Sequence, residues 1–257
     1  MGEIIVIASG KGGVGKTAVT AGLGIALDSY DKRVLLIDAD FGLRNLDIAL
    51  GVESDVVYDI LDCVDGRCTF ETAAINIKEK NDIFFLPAPQ SRSGKYIDEA
   101  AFVEFCESLR DKFDYIILDA PAGLNLELIA KCADRAIIVV QPFIASLRDA
   151  DRCVDILGRN GVDDVKLVIN CVRRELIADG RMWNVDNIID LLGIPLLGII
   201  PYDEEVLKGI AAADRKSIVF KALNNCSGRI LGENIPVINP SKKQKRFGNG
   251  FKRIFKK

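Results

Sequence analysis

The sequence predicts an α/β fold: a mostly parallel, twisted sheet with helices packed on both of its faces. Three observations carry this. Seven apolar runs rich in β-branched residues lie at 4–8, 34–37, 83–86, 115–118, 136–140, 165–169 and 196–200. Several lack any apolar/polar alternation, as strands buried on both faces of a parallel sheet do. Amphipathic stretches at 17–29, 99–112, 145–159, 185–192 and 216–231 separate the runs, so strand and helix alternate along the chain. At 257 residues and 49% apolar composition, the chain can bury one large core. One domain is expected over 1–234, then a basic linker over 235–246 and an amphipathic helix over 247–257.

The first run leads into Gly10-Lys11-Gly12-Gly13-Val14-Gly15-Lys16-Thr17-Ala18. The spacing G-x-x-x-x-G-K-T between a strand and a helix is that of a phosphate-binding loop. Its glycines let successive backbone N–H groups turn onto phosphate oxygens without a Cβ in the way. The helix that follows adds its positive end to the same spot. Lys16 is expected to reach the β- and γ-phosphates and the Thr17 hydroxyl to ligate Mg²⁺, so ATP and Mg²⁺ are the expected ligands.

The second run closes in Asp38-Ala39-Asp40-Phe41-Gly42-Leu43-Arg44-Asn45-Leu46-Asp47. Carboxylates at the C-terminal ends of parallel strands stand where ligands bind in open α/β sheets. These aspartates also suit a second task, capping the helix that follows. The fourth run ends in Asp119-Ala120-Pro121-Ala122-Gly123. Four apolar residues and then Asp is the Walker B pattern, in which the carboxylate holds Mg²⁺ directly or through water. Asn170 closes the sixth run, and Pro201-Tyr202-Asp203 follows the seventh.

These motifs together identify a resemblance to the MinD/ParA family of ATPases. The loop K-G-G-V-G-K-T resembles that family's deviant Walker A. Asp38 to Asp47 resembles the switch I of its septum-positioning branch, D-x-D-x-G-L-R-N-L-D, and D-A-P-A-G resembles its switch II. The resemblance implies that Lys11 reaches the phosphates bound by a second copy, so that ATP is held between two protomers. It implies that Asp40 orients or deprotonates the attacking water and contacts Mg²⁺, with Asp38 a candidate outer metal contact. Lys11, Lys16 and Asp40 are then the catalytic set, and Thr17, Asp40 and Asp119 the metal set. Adenine would lie against Asn170, Pro201 and Asp203, although Cys171 beside Asn170 departs from many relatives. Ser146 is a possible N-cap of its helix, with Asp149 and Asp151 in the first turn. Arg148 and Asp151 are equally readable as partner contacts or as a solvated face.

Composition excludes other chemistries. There is no histidine and no C-x-x-C among the seven cysteines, which removes histidine-relay catalysis and zinc-type sets. Cys63 and Cys68 flank a turn at Asp65-Gly66 and could be near in space. The start of the chain runs directly into a strand, so no signal peptide is expected. No apolar stretch approaches the ~20 residues that span a bilayer.

The net charge of −3 is uneven: residues 241–257 carry eight Lys/Arg and no acid, leaving 26 bases against 37 acids, or −11, on the first 240. Phe247, Phe251, Ile254 and Phe255 fall on one helical stripe, with Lys252 and Arg253 beside it. Inserting those four side chains in a membrane contributes roughly 1.5–3 kcal/mol each. Basic residues near an anionic leaflet add about 1 kcal/mol apiece. Ordering the segment costs about 1–2 kcal/mol per residue, so one tail binds weakly and two on a dimer gain avidity. A similar membrane-targeting helix ends relatives of the septum-positioning branch.

The reading is a peripheral ATPase on the cytoplasmic side of the inner membrane. It would pair on Mg·ATP, bind anionic lipids, recruit a MinC-like division inhibitor and answer to a MinE-like or other topological regulator. No specific nucleic acid is expected. A flagellar-number regulator and a ParA-like DNA-partition ATPase are the alternatives on the same scaffold.

Overall fold

The computed structural model describes residues 1–41, 43–77, 82–89 and 97–237, without the side chains of 207 and 208. The tail stripe at 247–257 lies outside the described residues. In chain order the elements are β1 (Glu3–Ser9), α1 (Lys16–Asp28), β2 (Val34–Asp38), α2 (Leu46–Leu50), α3 (Ile60–Val64), α4 (Phe70–Ala73), β3 (Ile75–Asn76) and β4 (Ile83–Leu86). Then come α5 (Glu99–Ser108), β5 (Tyr115–Ala122), α6 (Glu127–Ala130), β6 (Arg135–Val140), α7 (Ile144–Arg159) and β7 (Asp164–Val172). The chain continues through α8 (Arg174–Ala178), α9 (Val185–Leu192), β8 (Leu196–Pro201) and α10 (Ile218–Ile230).

All seven expected runs are strands of one sheet ordered β3-β4-β2-β5-β1-β6-β7-β8. Every neighbouring pair is parallel except β3 with β4. The eighth strand, β3, was not among the expected runs, because two residues carry no periodic signal. Strand order reverses about β1: the chain leaves it for β2 on one side, and β6 to β8 lie on the other. That reversal opens a crevice at the C-terminal ends of the central strands, where ligands bind in this class of sheet.

The pleat sends alternate residues of β1 to opposite faces. Ile4, Val6 and Ala8 join Phe102 of α5, Leu147 and Leu157 of α7 and Ile188 of α9. Ile5 and Ile7 join Leu23 and Leu27 of α1 and Phe220 and Leu223 of α10. Each such side chain, fully buried, contributes about 1.5–3 kcal/mol. The uninterrupted apolar runs are therefore what two packed faces require.

Helix boundaries correct three expectations. The 99–112 stretch is helical only to Ser108 and finishes as a 3-10 turn over Arg110–Lys112. The 216–231 helix begins at Ile218, where the Ser217 hydroxyl accepts from the Phe220 N–H at 3.2 Å. Ser146 is not an N-cap: α7 already starts at Ile144, with Phe143 at the cap position and no acid in its first turn. The Ser146 hydroxyl is buried and instead accepts from the Gln141 N–H at 3.2 Å, tying the end of β6 to the helix.

Candidate nucleotide site

The register of the sheet assembles the site. Asp38 at the end of β2 and Asp119 in β5 are direct register partners, and β1 runs beside β5 into the glycine loop. The loop turns through φ +79 at Gly13 and +87 at Gly15, then enters α1 at Lys16. Lys11 and Gly12 are exposed, Val14 is buried, and Thr17 and Ala18 are half-buried at the helix entrance.

Lys16 is buried, and its Nζ donates to Asp119 Oδ1 at 2.8 Å. Thr20, one turn further along α1, donates its hydroxyl to the same oxygen at 2.8 Å. Thr20 was missed in the sequence, although its place four residues after Lys16 puts both on one face of the helix. Asp38 is fully buried, and all its visible partners are backbone N–H groups of the segment that follows it. Its Oδ1 accepts from Asp40 at 2.9 Å, and its Oδ2 from Asn45 at 3.2 Å and Leu46 at 3.1 Å. Asp38 thus caps the entrance to α2 and shapes the stretch that carries Asp40, the second of the two tasks its position allows.

Three carboxylates face one lysine here, and the electrostatics reflect it. Burial, and then the charge of Asp119, push the Asp38 carboxyl up to about 7 from its ordinary 3.8. Burial also raises Asp40, against the pull of Lys16 and with a further push from Asp119. Among the described residues no three acidic or cysteine side chains converge to hold a metal ion alone. Mg²⁺ does not need that: it is usually held by one or two carboxylates together with phosphates and water. The excess negative charge fits that donor set, and Thr17 stands next to Lys16 at the helix entrance.

On the other side of the loop, a cleft of about 280 Å³ opens between the ends of β7 and β8. Gly13, Gly15, Ala18, Asn170, Pro201 and Asp203 line it, with Gln141, Cys171, Tyr202 and the apolar Val206, Ile210 and Val219. Asn170 does more than border the cleft. Its Nδ2 donates to the Val14 carbonyl at 2.9 Å, and its Oδ1 accepts from the Cys171 N–H at 2.8 Å. The amide expected to read a base edge therefore also clamps the phosphate loop. Cys171 takes φ +56 within a register shift of β7, and the Arg173 guanidinium stacks 3.4 Å over the Tyr202 ring. Asp203 accepts from the Glu205 N–H at 3.1 Å, capping the 3-10 turn Glu204–Lys208 that forms the outer wall. Gln141, also missed in the sequence, donates to the Gly13 carbonyl at 3.2 Å; its place at the end of β6 was the available signal.

Comparison with known proteins agrees with this geometry. The CobQ/CobB/MinD/ParA nucleotide binding domain matches residues 5–215. The septum site-determining protein MinD of Synechocystis sp. is 40% identical over 247 residues, 93% of either chain. The chain belongs to the MinD family.

The MinD-family protein seen in the MinC:MinD cell division complex of Aquifex aeolicus is similar in structure, with a TM-score of 0.85 and 38% identity over 92% of this chain and 98% of that one. The Pyrococcus horikoshii MinD complexed with Mg-ADP has a TM-score of 0.76 and 28% identity, over 90% and 96% of the two chains. The chain is accordingly a nucleotide-binding ATPase, and its glycine loop and strand-end carboxylates are the parts that suit that chemistry. A bound Mg²⁺ would supply charge neutralisation to the nucleotide. The chain itself would supply the loop N–H groups and Lys16, and Asp38 fixes the segment that carries Asp40.

Proposed function

We propose that this ATPase is a nucleotide-controlled switch that places the division septum. In this reading ATP bound in the glycine loop pairs two copies, with Lys11 of each reaching the phosphates of the other. The exposure of Lys11, on a loop whose other lysine is buried against Asp119, supports that division of labour. Asp40 would orient the attacking water, Asn170, Pro201 and Asp203 would border the adenine, and Thr17 and Asp119 would hold the metal.

The pair then grips anionic lipid through two copies of the stripe Phe247, Phe251, Ile254 and Phe255, flanked by Lys252 and Arg253. Among the described residues no helix is long and apolar enough to cross a membrane, so attachment would be peripheral. A MinC-like inhibitor is the proposed cargo, by analogy with the Aquifex aeolicus complex, and a MinE-like partner the proposed trigger of release. The observation that carries the reading is the similarity to MinD proteins over more than nine-tenths of the chain. Co-sedimentation with anionic liposomes tests it: binding should require ATP and residues 247–257. Equal binding with ADP, or binding retained without the tail, overturns the switch.

A further inference from the structure

Two cysteines that the ATPase does not use are brought together by the way α3 ends. Gly66 takes φ +70, which lets the chain reverse. Its N–H donates to the Cys63 carbonyl at 3.0 Å, and the N–H groups of Arg67 and Cys68 turn back onto the Asp62 carbonyl at 2.8 and 3.3 Å. Arg67 ties the turn further through Asp62 at 2.6 Å and Asp65 at 3.0 Å. Cys68 is thereby folded over the last turn of the helix, and its Sγ lies 3.6 Å from Cys63 Sγ.

A disulfide holds its sulfurs about 2.05 Å apart, so closing the bond needs roughly 1.5 Å, within reach of side-chain rotation. The two thiols are not equivalent. Cys63 is buried and also faces the Thr69 carbonyl at 3.8 Å, whereas Cys68 is partly exposed. Burial, and then the contact with Cys68, push the Cys63 thiol up to about 12, leaving Cys68 as the attacking group. Among the described residues no third acid or cysteine completes a metal set around them.

We propose that Cys63 and Cys68 form a reversible dithiol–disulfide site whose co-reactant is a low-molecular-weight disulfide. The Cys68 thiolate attacks one sulfur of RSSR, forming Cys68–S–S–R and releasing RS⁻. Cys63 gives up its proton and attacks the Cys68 sulfur, forming the Cys63–Cys68 bond and releasing the second RS⁻. Two electrons pass from the protein to RSSR, which leaves as two RSH. The product ties the end of α3 to the residues entering α4.

The test is peptide mapping, after acid quench, of the full-length chain titrated with oxidised glutathione. The wild-type protein should show a Cys63–Cys68 cross-link with little glutathione on Cys68. In Cys63→Ser the mixed disulfide on Cys68 should accumulate instead, with half-modification at least about tenfold higher in oxidised glutathione, because the neighbouring thiol acts at millimolar or greater effective concentration. Cys171, the other partly exposed cysteine, serves as internal reference. A stable Cys68–glutathione adduct in the wild-type chain, or no reaction at Cys68, overturns the proposal. The wild-type map decides alone if the variant fails to fold.

Discussion

Replacing Gly15 by alanine should damage the nucleotide site through Asn170, and the structure gives the size of the effect. Gly15 has φ +87, and a Cβ built there would lie 2.3 Å from Asn170 Nδ2. Two costs follow. A side chain in the left-handed region costs roughly 1–2 kcal/mol. Displacing Asn170 also leaves the Val14 carbonyl and the Cys171 N–H without their partner, and a buried unsatisfied polar group costs about 1–3 kcal/mol. The sum is roughly 2–5 kcal/mol, to be shared between global stability and nucleotide affinity. Removing Asn170 first should take away the second cost. In an Asn170→Ala background, Gly15→Ala should therefore lose only the backbone contribution, about 1–2 kcal/mol. The coupling between the two sites should be about 1–3 kcal/mol, in the compensating direction. Denaturant unfolding and nucleotide titration of the four proteins in the cycle measure it. Strict additivity would refute the clash, and with it the assignment of Asn170 as a clamp on the loop.

Further outcomes are expected from the same site. Asp38, with its folded-state value near 7 against 3.8 ordinarily, holds its proton in the folded chain over a range where the unfolded chain has lost it. Its contribution to stability is thus fully present below about pH 4 and is lost as pH rises through about 7; the carboxyl carbon resonance of Asp38 in nucleotide-free protein should titrate near neutrality, and a midpoint near 4 contradicts the burial argument. Thr20→Val removes a hydrogen bond to a buried carboxylate, worth about 1.5–3 kcal/mol, and should slow ATP turnover roughly 10- to 100-fold. Thr20→Ser should restore most of that turnover, so a slow serine variant would count against the hydroxyl. Lys11→Ala should keep nucleotide affinity within about threefold while abolishing ATP-dependent pairing in size-exclusion chromatography, and a variant that still pairs would remove Lys11 from the interface.

Much of this molecule is readable from its residues, for reasons that vary from one element to the next. The glycine loop is legible because its chemistry is contiguous: glycines, Lys16 and Thr17 need only a strand before and a helix after. The carboxylates are legible because parallel strands end on one edge, so an acid closing a buried run is already at the crevice. Contacts that depend on register between distant strands leave no local mark. The bond from Asn170 to Val14 spans 156 residues, and neither end announces it. Ser146 shows the opposite error, a residue with the right local preference in the wrong place. Its hydroxyl serves the Gln141 N–H, and the helix is capped at Phe143, three residues earlier than a Ser146 cap would place it.

The same contrast explains why the acidic end of the sheet needs its lysine. Asp38 and Asp119 are register partners, so the pairing of β2 with β5 forces two buried carboxylates side by side. One is stabilised by backbone N–H groups and a raised proton affinity, the other by Lys16 and Thr20. Lys16 is thus a structural counter-ion to Asp119, beside the phosphate contact proposed for it. A triphosphate that drew Lys16 away would cost Asp119 its counter-charge, and a divalent cation is the replacement the proposed function would supply. On the proposed function, nucleotide and Mg²⁺ would be coupled at this site by the sheet register itself, before any contact between two copies is considered.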